Sequence, residues 1–361
     1  MPVRRRNSPS LPLTSARLLE LFDRFYDLEM DELDWMRSIC EVIRPLVDCG
    51  AGVHVWTLRT DPASEYHGVR VGLGHDVEGM WAQFRRAVPL EFLVDHVMGG
   101  PISNAARHTA PRVQPYVGAG HAAMGVRSLT SINAVDVENT LVCIGIPVPI
   151  GGHEFWPARN RTLWERIAAH LGAAYRLRNR RELREPPALV IDRKGRLLHA
   201  EPGVAAGPEL AQLRDTLTAV DRARRVRMPP EAVLDAWRAL YSARWSISES
   251  VERDGRRLLI ARPNTPLRED ACWTSVVGGE DRQLENARTL SAAESRVVAA
   301  LSQGHSNKLI AYELGISIST VSTLITRAKR KLGCKSRVEL ARAGRVQTRR
   351  SIYDRIAQAP A

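Results

Sequence analysis

The sequence predicts a multidomain α+β protein in which antiparallel sheets carrying helices give way to an all-α C-terminal domain of four helices. Three observations lead there. The chain has 361 residues, too many for one typical domain. Up to about residue 264, short Val-rich runs bounded by Gly, Asp and Pro alternate with stretches of helical apolar spacing, as strands and helices packed in layers do. Beyond about residue 290 the strand signal stops, and only helical spacing with cap residues remains.

From the N-terminus, residues 1–14 are basic but contain no apolar core, and are read as a disordered arm rather than a signal peptide. Leu18, Leu19, Phe22, Phe25 and Tyr26, then Met36, Ile39, Val42, Ile43, Leu46 and Val47, predict two amphipathic helices broken around residues 29–34. Residues 52–59 and 66–74 read as strands, 78–98 as a helix, and 128–137 with 139–150 as a strand pair. A long helix is expected over 157–183, opening on Pro157. The segment 118–125, GAGHAAMG, misses the spacing of a dinucleotide-binding turn and is expected to be a loop. Pro186 and Pro187 mark a boundary. After them come a hairpin turning at Asp-Arg-Lys-Gly, helical material at 208–225 and 230–242, and a second hairpin turning at Arg-Asp-Gly-Arg. Helix, strands, helix, strands and a long exit helix over 15–183 resemble a GAF-type sensory domain, and 186–264 resembles a small PAS-like module. Residues 265–283 have little periodicity and read as a linker.

The C-terminal domain, 284–345, is the most explicit part. Ser291 with Glu294 three residues on forms a capping box before Val297, Val298 and Leu301. Gly304 ends that helix, Ser306 caps the next, and Gly315 offers a left-handed stop. Ile316 then plugs the corner, and Ser317 or Ser319 caps a third helix that buries Val321, Leu324 or Ile325, Ala328 and Leu332. A short fourth helix, SRVELARAG, completes the unit, and 346–361 is a basic tail. Two short helices joined by a tight Gly-containing turn make a helix-turn-helix, whose second helix enters the major groove of DNA.

Residues 288–343 resemble the LuxR-type (GerE-like) domain. The resemblance rests on Leu290, Ser291, Glu294, Val297 and Val298; on Gly304, Ser306, Asn307, Lys308, Ile310, Ala311, Leu314, Ile316, Ser317, Thr320 and Val321; and on Lys331, Leu332, Gly333, Ser336, Arg337, Glu339 and Leu340. The chain departs from the family pattern at Ser322 and Leu324, where Lys and His are usual. The same stretch also resembles region 4 of sigma factors, but no polymerase-binding or promoter-melting region stands upstream.

Charge agrees with that resemblance. The chain carries a formal net charge of +12, which favours a polyanionic partner. Between 291 and 343, nine Lys or Arg stand against three Glu. The expected DNA-binding residues are Ser306, Asn307, Lys308, Ser319, Thr320, Ser322, Thr323, Thr326, Arg327, Arg330, Lys331 and Arg337. Their cations would neutralise phosphates, and hydroxyls with an arginine would address base edges. The expected partners are double-stranded DNA, a second copy of the chain in a homodimer, an unidentified small-molecule effector and RNA polymerase.

Other classes find little support. No run approaches the ~18 apolar residues of a membrane span, so no membrane partner is expected. The five cysteines are odd in number and lack CxxC spacing, which speaks for a reducing cytoplasm and against a zinc site. The ten histidines show no metal-binding spacing, and no nucleophile and base stand in a recognisable pattern. Neither a cofactor nor enzymatic activity is expected. The competing expectation is a small-molecule receptor or protein-interaction adaptor whose C-terminal helices dock a protein.

Overall fold

A computed structural model of the chain describes residues 12–28, 30–58, 70–74, 76–88, 100–104, 114–135, 141–155, 160–179, 189–192, 196–200, 202, 209–226, 228–236, 245–251, 257–263, 290–314 and 316–344. The arm up to residue 11, the linker 265–283, Gly315 and the tail 346–361 lie outside these residues. The chain divides into two compact units, with the boundary at Leu171 and Gly172.

The first unit opens with α1 (Ser15–Phe25), capped by Thr14, and α2 (Glu32–Val47), capped by Asp31. Each cap oxygen accepts a backbone N–H of the first turn, satisfying donors that have no partner inside the helix. Leu18, Phe22, Phe25, Met36, Ile39 and Ile43 are buried as the spacing predicts; Leu19 and Val42 are only half-buried, while Leu21 and Trp35, which the spacing did not single out, are fully buried. Trp35 keeps its indole N–H satisfied by donating to the Phe25 carbonyl at 3.0 Å.

These helices pack on a five-stranded sheet of order β2-β1-β5-β4-β3, built from β1 (Val53–Leu58), β2 (Arg70–Leu73), β3 (Ile102–Asn104), β4 (Val126–Val135) and β5 (Leu141–Pro149). Strand β5 lies at the centre and is buried along nearly its whole length, as a strand covered on both faces must be. Helix α3 (Val77–Ala87) brings Trp81 to 5.4 Å from Trp56 on β1, ring centre to ring centre. The long helix α5 (Arg161–Asn179) returns His170 to α1, where its Nδ1 is hydrogen-bonded to the Tyr26 hydroxyl at 3.0 Å. His170 is therefore a satisfied core histidine.

One expectation is overturned. Residues 118–125 are not a loop: Gln114–Met124 is a helix, α4. Its glycines lower helix propensity, but Gly120 is where α4 meets α3. A Cβ at that position would come within 2.7 Å of Val88 and 2.8 Å of Phe84. The residue that argues against a helix locally is the one that lets two helices approach closely.

The second unit contains a four-stranded antiparallel sheet of order β7-β6-β9-β8, from β6 (Leu189–Asp192), β7 (Leu197–Ala200), β8 (Trp245–Val251) and β9 (Arg257–Pro263). Both expected hairpins are present, β6 with β7 and β8 with β9. Between them lie α6 (Glu209–Arg225) and α7 (Pro230–Ala236). The terminal helices follow as α8 (Ala292–Ser302), α9 (Asn307–Leu314), α10 (Ile318–Leu332) and α11, 337–344. No single helix among the described residues is long and apolar enough to cross a membrane.

Candidate nucleic-acid interface

The terminal helices are held by one apolar cluster. Leu290, Val297, Val298, Leu301, Ile310, Ala311, Val321, Leu324, Ile325, Ala328 and Leu340 are buried together, with Ile316 and Leu332 packed at their edge. The starts of α8, α9 and α10 and the end of α10 are satisfied locally. Ser291 and Glu294 form the reciprocal capping box, and the Ser306 hydroxyl accepts the Leu309 N–H at 3.2 Å. Ser317, rather than Ser319, is the cap of α10: its hydroxyl accepts the Thr320 N–H at 3.0 Å. Gly333 closes α10 with a φ of 66°, a left-handed conformation that suits glycine.

Helices α9 and α10 meet at 106°, the crossing of a helix-turn-helix pair. At 100° per residue, Val321, Leu324, Ile325 and Ala328 line the inner side of α10. Ser319, Thr320, Ser322, Thr323, Thr326, Arg327 and Arg330 fall on the opposite arc of roughly 160°, and all seven are exposed. The outer face is polar because the inner face is fully consumed by packing.

Within that arc the hydroxyls are already engaged. Ser322, Thr323 and Thr326 donate to the carbonyls of Ile318, Ser319 and Ser322, at 3.0, 3.0 and 2.9 Å. This back-bonding is usual for Ser and Thr within a helix. It leaves each oxygen as an acceptor and, in the threonines, the methyl group as well. Ser319 and Thr320 share hydrogen bonds with the Ser317 hydroxyl at 2.7 and 2.8 Å. Arg327 and Arg330 form no ion pair among the described residues, and Lys308 is likewise exposed on the first turn of α9.

The remaining expected residues have structural partners. The Lys331 ammonium donates to Glu294 Oε2 at 2.7 Å, tying the last turn of α10 to the first turn of α8. Arg337, on α11, donates to the side-chain oxygen of Asn307 and, at 2.8 Å, to the His305 carbonyl. Asn307 in turn donates to the Ser322 hydroxyl at 3.4 Å. These bonds link α11 to the start of α9, and α9 to α10. These partners stand 30 and 37 residues apart in sequence, and no local signal announces them. The hydrogen-bonded pair of His305 and Glu313, at 2.8 Å, and the half-exposed Ile318 at the start of α10 are also missing from the sequence expectation. An apolar residue at the first position of α10, ahead of a hydroxyl-rich outer arc, is the signal that could have found Ile318.

Burial pushes the Glu294 carboxyl up, but hydrogen bonds from Lys331 and the Ser291 amide, with the ammonium charge, outweigh it and hold it below the ordinary glutamate value. Stability from a depressed carboxylate is present above the unfolded value and is lost as pH falls through the folded one. Lys331→Ala is expected to cost about 1–3 kcal/mol at neutral pH, because Glu294 loses its main donor while buried. Chemical denaturation followed from about pH 6 to about pH 3 checks it: the wild-type terminal domain should lose more stability across that span than the variant does.

The family comparison agrees with the geometry. Residues 288–343 match the family model described as bacterial regulatory proteins, luxR family. They form a LuxR-type helix-turn-helix domain. Through it the chain carries the DNA-binding part of a regulator. Among solved structures, that of SdiA in complex with octanoyl-rac-glycerol aligns over 94% of this chain and 91% of its own, at 13% identity and a TM-score of 0.18. That superposition is too poor to define a shared fold. No curated protein matches the chain.

Proposed function

We propose that the protein is a one-component transcriptional regulator of the cytoplasm whose LuxR-type domain reads the major groove through α10. One observation carries this reading: the outer arc of α10 is exposed, cationic and lined with hydroxyls, while α9 and the apolar cluster hold it rigidly from behind. Arg327 and Arg330 supply counterion-releasing contacts, Ser322, Thr323 and Thr326 face the bases, and Ser306, Asn307 and Lys308 lie against the backbone. Two copies would place two recognition helices about one helical turn apart on the duplex.

The preceding GAF-like and PAS-like modules act as the sensory part, responding to a small-molecule effector and setting how the domain engages DNA and RNA polymerase. Support for such coupling comes from Tyr312 on α9. Its buried hydroxyl donates to the Leu234 carbonyl on α7 at 2.8 Å, a direct bond between α7 and the helix that packs against α10.

Titrating the full-length protein into labelled genomic duplex fragments over a range of salt tests the proposal. Retention near 50 mM salt, with an affinity that falls linearly on a log–log plot against salt, is expected. Indifference to duplexes at that salt would leave the protein-docking adaptor as the better reading.

A further inference from the structure

The first half of α10 presents one exposed aliphatic side chain among hydroxyls that have largely spent their protons. Ile318 is the first residue of the helix and 51% exposed. Around it the polar groups are largely occupied: Ser319 and Thr320 each share a hydrogen bond with the Ser317 hydroxyl, and Ser322 donates to the Ile318 carbonyl. Further along, Thr323 and Thr326 have spent their hydroxyl protons on the Ser319 and Ser322 carbonyls. What these side chains retain for a partner is a lone pair and a methyl group.

The placement is as informative as the chemistry. Ile318, Ser322 and Thr326 follow one another at intervals of four and so form one strip along the helix. Ile318 and Thr326 are separated by about 12 Å along the axis, the rise of three to four base pairs. A single exposed aliphatic side chain is ordinary on a protein surface. This one stands at the N-terminal end of the recognition helix, the end that meets base edges. Being β-branched, it holds one rotamer in a helix and loses little freedom on contact.

We propose that this strip, together with Thr323 beside it on the outer arc, reads thymine: Ile318 and the γ-methyl groups of Thr323 and Thr326 pack against C5-methyl groups of thymine in the major groove, so that the protein selects T-containing half-sites. The inference rests on the DNA-binding reading above and adds the class of sequence recognised. In the major groove thymine alone among the four bases offers that methyl, and Thr methyl or aliphatic groups are its natural contacts.

The test uses full-length protein to select duplexes from a random-core pool. The selected duplex is then prepared with each thymine of the protected half-sites replaced by deoxyuridine, which keeps the pairing edge and backbone and removes only the methyl. Wild-type protein is expected to lose affinity by about fourfold for each methyl contacted. In Ile318→Ala, and in the Thr323→Ser/Thr326→Ser pair that keeps the hydroxyls, that loss should shrink correspondingly. Wild-type binding to the two duplexes within twofold overturns the proposal, as does an equal loss in wild type and both variants. Failure to select any duplex has a different meaning, since it overturns the DNA-binding reading itself.

Discussion

Replacing Arg327 and Arg330 together by alanine is expected to lower duplex affinity of the full-length protein by about a hundredfold, and to reduce the slope of log affinity against log salt by about two. Both guanidinium groups are exposed on the outer arc of α10 and form no ion pair among the described residues, so little of the folded structure depends on them. Their removal should leave the melting temperature nearly unchanged, because surface substitutions of this kind shift stability by about 0.5 kcal/mol at most. The two alternatives to direct contact give separate signatures. An affinity within twofold of wild type removes these arginines from the interface, and a fall in affinity with an unchanged salt slope assigns them a role other than phosphate neutralisation. Fluorescence anisotropy at four or more salt concentrations measures both quantities.

Val321→Asp should have the opposite profile. Val321 is fully buried, among Leu290, Val297, Val298, Ile310, Ala328 and Leu340. A carboxylate there has no cation in that apolar cluster and must either be neutralised or expelled, at a cost above about 4 kcal/mol. That is a large part of the 5–15 kcal/mol by which a whole domain is typically stable. Hydrogen exchange on the full-length variant is expected to show residues 290–344 unprotected while α1, α2 and the five-stranded sheet keep their protection. DNA binding should vanish at every salt concentration. Retained protection in α8 and α10 would mean that the cluster tolerates the charge, and that α10 is not anchored as described. The two variants together separate the reading face from the body that holds it.

The terminal domain was legible in the sequence because its signals are local. The Ser291–Glu294 box, the Ser306 cap and the stripe of Val297, Val298 and Leu301 each need only the next few residues to declare a helix end or a buried face. The two hairpins around Asp-Arg-Lys-Gly and Arg-Asp-Gly-Arg were legible for the same reason. Helix α4 was not, since Gly118 and Gly120 weigh against a helix until the approach of Phe84 and Val88 to Gly120 is known. Tertiary packing there overrides propensity. The site divides in the same way. The outer arc of α10 follows from helical periodicity, whereas the partners of Lys331 and Arg337, namely Glu294, Asn307 and the His305 carbonyl, do not. A charged side chain read from sequence reveals its sign but not the neighbour that claims it.

The bond from Tyr312 to the Leu234 carbonyl has a consequence for how information can travel. Mutual stabilisation has no preferred direction: if an effector loosens or tightens that bond and thereby alters grip on an operator, the operator must alter grip on the effector by the same factor. Replacing one hydroxyl, as in Tyr312→Phe, would then dull both responses together.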